Sequence, residues 1–252
     1  MRVASFNALH GLSVADGRAD AARLAGACAS LDADVLALQE VDRDQERSEG
    51  ADQARAVAAA TGAADWRFVP VLHGTPGLAW ERAAGDRPGP AYGIALLSRL
   101  PVRWWKTLPL AGAPVRGPIL VPGTRRLTVV KDEPRAVVCA RVVAPFGEVT
   151  VAATHLSFVP AWNAWQLRRV VTAVCALPGP HLLMGDLNLP GRLPRLLSGW
   201  TPLVRGRTFP APAPRLQLDH VLVSPGLRGH GGRAVELPVS DHRAVVAEVG
   251  PA

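Results

Sequence analysis

Short apolar, strand-like runs recur along most of this chain, and short glycine- and proline-rich stretches separate them. The opening "RVASFNA" (2–8) reads as a strand, residues 19–31 (ADAARLAGACASL) have the composition of a helix, and "DVLALQEVD" (34–42) is strand-like again. An alanine-rich helix is expected near 50–61. Two short apolar segments, "RFVPVLHG" and "YGIALLSR", then flank a Gly/Pro/Arg loop at 74–91. Strand-like runs return at 101–108, 126–130 and 135–144, and in "EVTVAATHLS", while 161–177 has apolar spacing compatible with a helix. "HLLMGDLN", a loop-rich stretch at 190–216, "LQLDHVLVS" and "SDHRAVVAEV" complete the series.

Many short strands with few helices between them predict two sheets packed face to face with helices outside. This is an α/β sandwich rather than a doubly wound parallel fold. No repeat at a fixed period is present, and the proline-rich "TFPAPAP" (208–214) is short enough to be a connection. At 252 residues, one domain covering 1–252 is expected.

Composition narrows the class. Hydrophobic content of 48% against 19% charged residues supplies ample core material and excludes a disordered chain. No apolar stretch approaches the length of a bilayer span. The opening lacks the long apolar core of a signal peptide, so a cytoplasmic location is expected. Cys28, Cys139 and Cys175 are odd in number, sit in apolar surroundings and have no metal-like spacing, so buried free thiols are expected.

Charge is uneven. Residues 1–60 hold 6 arginines and 10 acids, a balance of −4; the overall +7 therefore leaves +11 for the remainder, nearly all of it arginine. Such a surface favours anionic partners, including phosphoesters, nucleic acids and acidic lipid head groups, and equally suits a solvated arginine-rich surface. The loops at 74–91 and 110–135 are the segments expected to choose a substrate; their Arg116, Arg125, Arg126 and Lys131 could hold a second phosphate or a nucleic-acid backbone, and equally could be solvated loop charges.

Polar residues recur where apolar runs end. Asn7 closes "RVASFN", Glu40 "VLALQE" and His155 "VTVAATH"; Asp186 and Asn188 follow "HLLM"; Asp219 opens "DHVLV"; Asp241 and His242 precede "RAVVAEV". Asp186 and Asn188 are two positions apart, which in an extended segment puts them on one side. Strand ends of a sandwich meet at one rim, so these groups are expected to converge there. Such a polar cluster is costly to bury unless a cation or substrate satisfies it. Oxygen donors without a Cys/His set favour Mg²⁺ or Mn²⁺ over zinc. A hard cation held by few carboxylates suits phosphoryl chemistry, with one histidine free to take a proton from water and the other to hydrogen-bond a phosphoryl oxygen. Singly, each segment is equally readable as a turn former or a solvated strand end.

In their order, "SFNALHG", "LALQEVD", "YGIALLSR", "THLS", "GDLN", "LDHVLVS" and "SDHRAVV" resemble the successive motifs of the endonuclease/exonuclease/phosphatase superfamily, the deoxyribonuclease I-like fold. The resemblance runs from residue 3 to about 249. It implies a four-layered α/β sandwich with two mixed β-sheets, and a Mg²⁺- or Mn²⁺-dependent phosphoester hydrolase. It further implies that Glu40 is the principal metal ligand, with Asn7 and Asp241 completing or orienting the metal site. Asp186 and Asn188 would align the attacking water and scissile phosphate, and His242, held by Asp219, would be the catalytic histidine. His155 would stabilise phosphoryl charge, and Tyr92 and Arg135 would be substrate-side or structural groups. "QEV" in place of "QET" and a proline-rich "GRTFPAPAPRLQLDH" in place of an aromatic-rich stretch count against the abasic-site repair branch. A generic bacterial phosphodiesterase or phosphomonoesterase acting as a monomer is the leading expectation. A nuclease on DNA or RNA and a non-catalytic phosphoester binder are the alternatives.

Overall fold

Most strands are apolar on both sides because each side meets a different core. The structure, a computed structural model, describes residues 1–120 and 127–252. In chain order the strands are β1 (Arg2–Asn7), β2 (Val35–Arg43), β3 (Asp65–Gly74), β4 (Trp80–Arg82), β5 (Ala91–Ser98), β6 (Val102–Leu110), β7 (Arg116–Leu120) and β8 (Leu127–Lys131). They continue with β9 (Arg135–Ala144), β10 (Gly147–His155), β11 (His181–Asp186), β12 (Thr201–Pro202), β13 (Asp219–Val223), β14 (Leu227–Val235) and β15 (Ala244–Pro251). The helices are α1 (Ala21–Ala29), α2 (Gln53–Thr61), α3 (Trp162–Cys175) and α4 (Leu193–Ser198).

Two mixed sheets result. A seven-stranded sheet has the order β14-β15-β1-β2-β5-β3-β4, a six-stranded one the order β12-β13-β11-β10-β9-β6, and β7 and β8 form a separate ribbon. Alternation sorts side chains between layers. Val3, Val35, Ala37, Ile94 and Leu96 of the first sheet face Val138, Ala140, Val151, Leu182 and Met184 of the second. Their neighbours Ala4, Leu36, Leu38, Ala95 and Leu97 turn outward onto Leu24 and Cys28 of α1 and Val57 of α2. On the far side Val137, Cys139, Ala152 and Leu183 meet Leu167, Val170 and Val174 of α3. Helix, sheet, sheet, helix: this is the expected four-layered sandwich. Asp20 and Asp52 cap α1 and α2 by accepting backbone N–H groups of their first turns, as short helices need. No helix among the described residues is long and apolar enough to cross a membrane.

The expected strands and the first three helices occur, whereas β4, β7, β12, β14 and α4 were not anticipated. Each lacks a clean signal. β14 (LRGHGGRAV) is a glycine-rich edge strand, β7 (RGPIL) carries a proline, and β4, β12 and α4 span no more than six residues. Residue 126 of the expected run at 126–130, with Arg125, lies outside the described residues.

One expectation needs correcting. Cys28 and Cys139 are buried free thiols, and burial pushes both up to about 12, but Cys175, at the end of α3, is exposed. It falls on the solvent side of an amphipathic helix whose buried stripe runs through Leu167, Val170 and Val174. Titrating the native protein with a thiol-specific reagent at neutral pH is therefore expected to modify one cysteine rapidly, and all three only after denaturation. Fast modification of two or three would contradict this packing.

Strand directions and register assemble one rim. β10 and β11 run parallel with His155 beside Asp186, and β11 and β13 run antiparallel with Asp186 beside Asp219, so the three residues form a row across three strands. In the other sheet β1 ends at Asn7, next to β2 in parallel, and β15 begins just after Asp241 and His242. The "GD" pair is dictated by crowding: a Cβ on Gly185 would collide with the Thr154 carbonyl oxygen, so only glycine lets β11 sit against β10 here.

Candidate active site

Asp186 Oδ2 is the point on which the rim converges. Asn7 Nδ2 donates to it at 3.0 Å, spanning from one sheet to the other, while His155 Nε2 stands 3.6 Å and His242 Nε2 3.8 Å away. Its partner Oδ1 accepts the backbone N–H of Asn188 at 3.0 Å, which ties the two residues of "GDLN" together. The second proton of the Asn7 amide goes to Glu40 Oε1 at 3.0 Å, and Asn7 Oδ1 accepts the Leu9 N–H. Asn7 thus presents its amine end to two carboxylates and holds them together. Asn188 is fixed from both ends, its side chain donating to the Leu156 carbonyl and its own carbonyl accepting from Asn163.

The backbone is strained where the chemistry gathers. Among the described residues nine non-glycine residues take a positive φ, and five of them (Leu9, His10, Glu40, Asn188 and Ser240) are rim residues or lie within three positions of one. Each such conformation costs about 1 kcal/mol or more and persists only where the surroundings impose it. At Glu40 (φ 56°) the cause is a bulge: the β2–β5 register shifts between Leu38 and Val41, which re-aims the side chain toward the rim. At Ser240 (φ 75°) the hydroxyl donates to the Asn7 carbonyl and accepts the His242 N–H, locking "SDH" onto the end of β1.

The two histidines have opposite partners. His242 Nδ1 meets Asp219 Oδ2 at 2.9 Å, so Nδ1 carries a proton and donates. Burial alone would disfavour its imidazolium, but the Asp219 and Asp186 carboxylates outweigh that and raise the ring to about 10. His155 Nδ1 meets instead the Arg135 guanidinium at 3.1 Å. Burial, then Arg135 and His242, hold this ring well below the ordinary histidine range. Asp186 is pushed up to about 7 by burial and then by Asp219, against the opposing pull of His242, Asn7 and the Asn188 N–H. One rim thus holds a cationic imidazole, a neutral imidazole and a carboxyl poised near neutrality, the spread that acid–base chemistry uses.

The donor set suits a hard cation. Asp241 Oδ1 is buried without a hydrogen-bond partner, and so is Asp219 Oδ1. Burial raises the Asp241 carboxyl to about 6, with the His242 imidazole opposing the rise and the charge of Glu40 adding to it. Asp186, Asp219 and His242 also lie close enough to surround an ion. Asp219 and His242 are already bonded to each other, whereas the carboxylate oxygen of Asp241 is unmet and could take a cation. Oxygen donors of this kind match a hard divalent cation.

Tyr92 and Arg135 stand behind this rim. Both are 6% exposed. The Arg47 guanidinium lies over the Tyr92 ring at 5.5 Å and forms two bonds with buried Asp42, at 2.7 and 2.8 Å. Arg135 Nη2 reaches Asp132 at 3.3 Å and Nη1 faces Glu133 at 3.9 Å. Asp42, Arg47, Asp132, Glu133, Ser240 and Thr208, whose hydroxyl accepts the Leu218 and Asp219 N–H groups, were not singled out from the sequence. The one available signal was Asp42, an acid inside an apolar strand. The loop at 208–216 packs onto the site: the Ala211 N–H donates to the Asp241 carbonyl, and the Phe209 ring lies 4.8 Å from that of His242. The two loops expected to choose a substrate meet where Lys131 covers the Trp80 ring at 5.3 Å. Arg125 and Arg126 lie outside the described residues.

The sequence model of the endonuclease/exonuclease/phosphatase family matches residues 4–242. No curated protein matches the chain significantly. An endonuclease/exonuclease/phosphatase from Beutenbergia cavernae DSM 12333 superposes with a TM-score of 0.70 at 22% identity, covering 100% of this chain and 72% of that one. A mannosyl-6-phosphatase from Bacteroides thetaiotaomicron VPI-5482 gives 0.64 at 16% identity over 99% of both chains. The human Nocturnin catalytic domain with a bound sulfate anion gives 0.62 at 16% identity, over 100% of this chain and 94% of that one. At these identities the structural likeness establishes the fold.

Proposed function

This chain belongs to the endonuclease/exonuclease/phosphatase family, and from that premise we propose that it is a divalent-metal-dependent phosphoester hydrolase acting on a small or lipid-like phosphoester. The observation that carries the reading is the convergence of Asn7, His155 and His242 on one carboxylate oxygen of Asp186. Separations of 3.6 and 3.8 Å from the two imidazole nitrogens are too long for direct hydrogen bonds, and they leave both nitrogens able to turn to a reacting group.

Glu40 and Asp241 would hold the Mg²⁺ or Mn²⁺, with Asn7 orienting Glu40. When bound, the cation supplies Lewis-acid neutralisation of phosphoryl charge. The chain's own residues do the rest. Asp186, with Asn188 fixed beside it, aligns the attacking water and takes up its proton. His242, oriented by Asp219, gives its Nε2 proton to the leaving oxygen as the P–O bond breaks, and His155 donates a hydrogen bond to a phosphoryl oxygen as charge develops. A mannosyl-6-phosphatase among the structural neighbours supports monoester substrates. The excess of positive charge beyond residue 60 supports nucleic acid as a second reading.

The test is hydrolysis of an aryl phosphodiester, mannose 6-phosphate, a choline phospholipid and an abasic-site DNA duplex, with Mg²⁺, with Mn²⁺ and with chelator. Metal-dependent cleavage is expected for one class of ester, and Asp186→Ala should lose about two to four orders of magnitude of it. Preferred cleavage of the duplex, with affinity falling steeply as salt is added, would move the assignment to the nuclease reading. Full activity in Asp186→Ala would show that the site lies elsewhere.

A further inference from the structure

His155 has a hydrogen-bond donor at each ring nitrogen. The Arg135 guanidinium stands 3.1 Å from Nδ1, and the Asn188 side-chain amide nitrogen 3.3 Å from Nε2. A neutral imidazole has one lone-pair nitrogen and one N–H, so it cannot accept from both. Charge and geometry decide the contest. The guanidinium is always protonated, has only donors, and makes the shorter contact; charge-assisted bonds are about twice as strong as neutral ones. The Asn188 amide already has the Leu156 carbonyl at 3.0 Å for one proton, and Nε2 has the Asp186 Oδ2 carboxylate at 3.6 Å as an alternative neighbour.

We propose that Arg135 is a positioning residue that fixes His155 in the Nε2–H tautomer, so that the ring directs an N–H, not a lone pair, at the reacting phosphoryl group. The function of that N–H rests on the phosphoester reading above; the tautomer itself does not. Arg135 is held to the task from behind. It sits at the start of β9, buried, with Nη2 on Asp132 and Nη1 within 3.9 Å of Glu133. Asp132 is anchored in turn by the Ala113 N–H at 2.6 Å. Without the guanidinium the remaining donor is Asn188, and the ring would change to the Nδ1–H tautomer with its lone pair toward the substrate. This also explains why a cation is buried beside a histidine: a guanidinium can face Nδ1 only as a donor, at every physiological pH.

Two-bond ¹H–¹⁵N correlation spectra of protein labelled on histidine nitrogens read the tautomer directly, and His155→Asn identifies the His155 signals by their loss. In Mg²⁺-containing buffer the wild-type ring is expected as Nε2–H. In Arg135→Met it is expected as Nδ1–H, with kcat down about tenfold to a hundredfold and KM changed far less. The double variant Arg135→Met with Asp132→Asn removes the acid that the single change leaves unpaired, and should show the same spectrum. A wild-type spectrum showing Nδ1–H overturns the proposal whatever the variants do. So does an unchanged Nε2–H in either variant. A chain that hydrolyses no ester but changes tautomer on loss of Arg135 would instead count against the hydrolase reading alone.

Discussion

Replacing His242 with alanine is expected to lower kcat for ester hydrolysis by about two to four orders of magnitude, the ordinary worth of one positioned acid–base group. KM should move far less, because the ring's free nitrogen faces Asp186 and the reacting group rather than the remainder of a substrate. The Nδ1–Asp219 bond leaves Nε2 with one direction to point, and the Phe209 ring lies against the imidazole. Alanine also strips a buried carboxylate of its partner, so His242→Gln is the control for folding: its amide still offers Asp219 a donor but has no nitrogen that titrates. Both variants should melt cooperatively and both should be equally inactive. Asp219→Asn should approach the same loss, since an amide can offer Nδ1 an N–H and reverse the tautomer. Combining it with His242→Ala should cost little more than His242→Ala alone, as expected of residues that act as one unit. Additive losses would mean that Asp219 works apart from His242, and undiminished turnover in His242→Gln would remove the histidine from the reaction.

The sequence was most readable where a local pattern has one physical cause. Apolar runs such as "DVLALQEVD" and "EVTVAATHLS" follow from two different cores flanking each sheet, and they located both β2 and β10. β14 escaped because most of its residues are not buried; it needs few apolar residues and shows no such run. At the rim the same logic holds. Residues at strand ends were visible because polar groups interrupt apolar runs. What holds them was not. Asp132, Glu133 and Arg47 sit in loops of ordinary polar composition, and only the folded chain shows Arg47 doubly bonded to Asp42 or Asp132 gripping Arg135. Arg135 itself was named only through the family resemblance, and nothing in the chain order hints that its partner is a histidine twenty positions away. The Glu40 bulge is equally silent, since nothing in "LQEV" marks a left-handed residue.

Asp241→Asn is expected to separate stability from metal binding. Asp241 Oδ1 is buried with no partner, and the charge of Glu40 further disfavours its carboxylate form. In metal-free protein that arrangement is unfavourable, so a neutral amide of nearly the same shape should leave Tm unchanged or higher. With a cation the order reverses. At a hundredfold excess over Kd, mass action stabilises the wild type by about 2.7 kcal/mol, which for a chain of this size raises Tm on the order of 5–10 °C. The carboxamide of the variant keeps one oxygen but loses the charge, so the Mg²⁺- or Mn²⁺-induced rise should shrink to a small fraction of that, and hydrolysis should fall with it. Glu40→Gln should behave alike, whereas His242→Gln should keep most of the metal-induced rise while losing turnover. That contrast distinguishes residues that hold the ion from residues that act beside it. An equal rise in wild type and Asp241→Asn would place the cation elsewhere, with the triad of Asp186, Asp219 and His242 as the next seat to test.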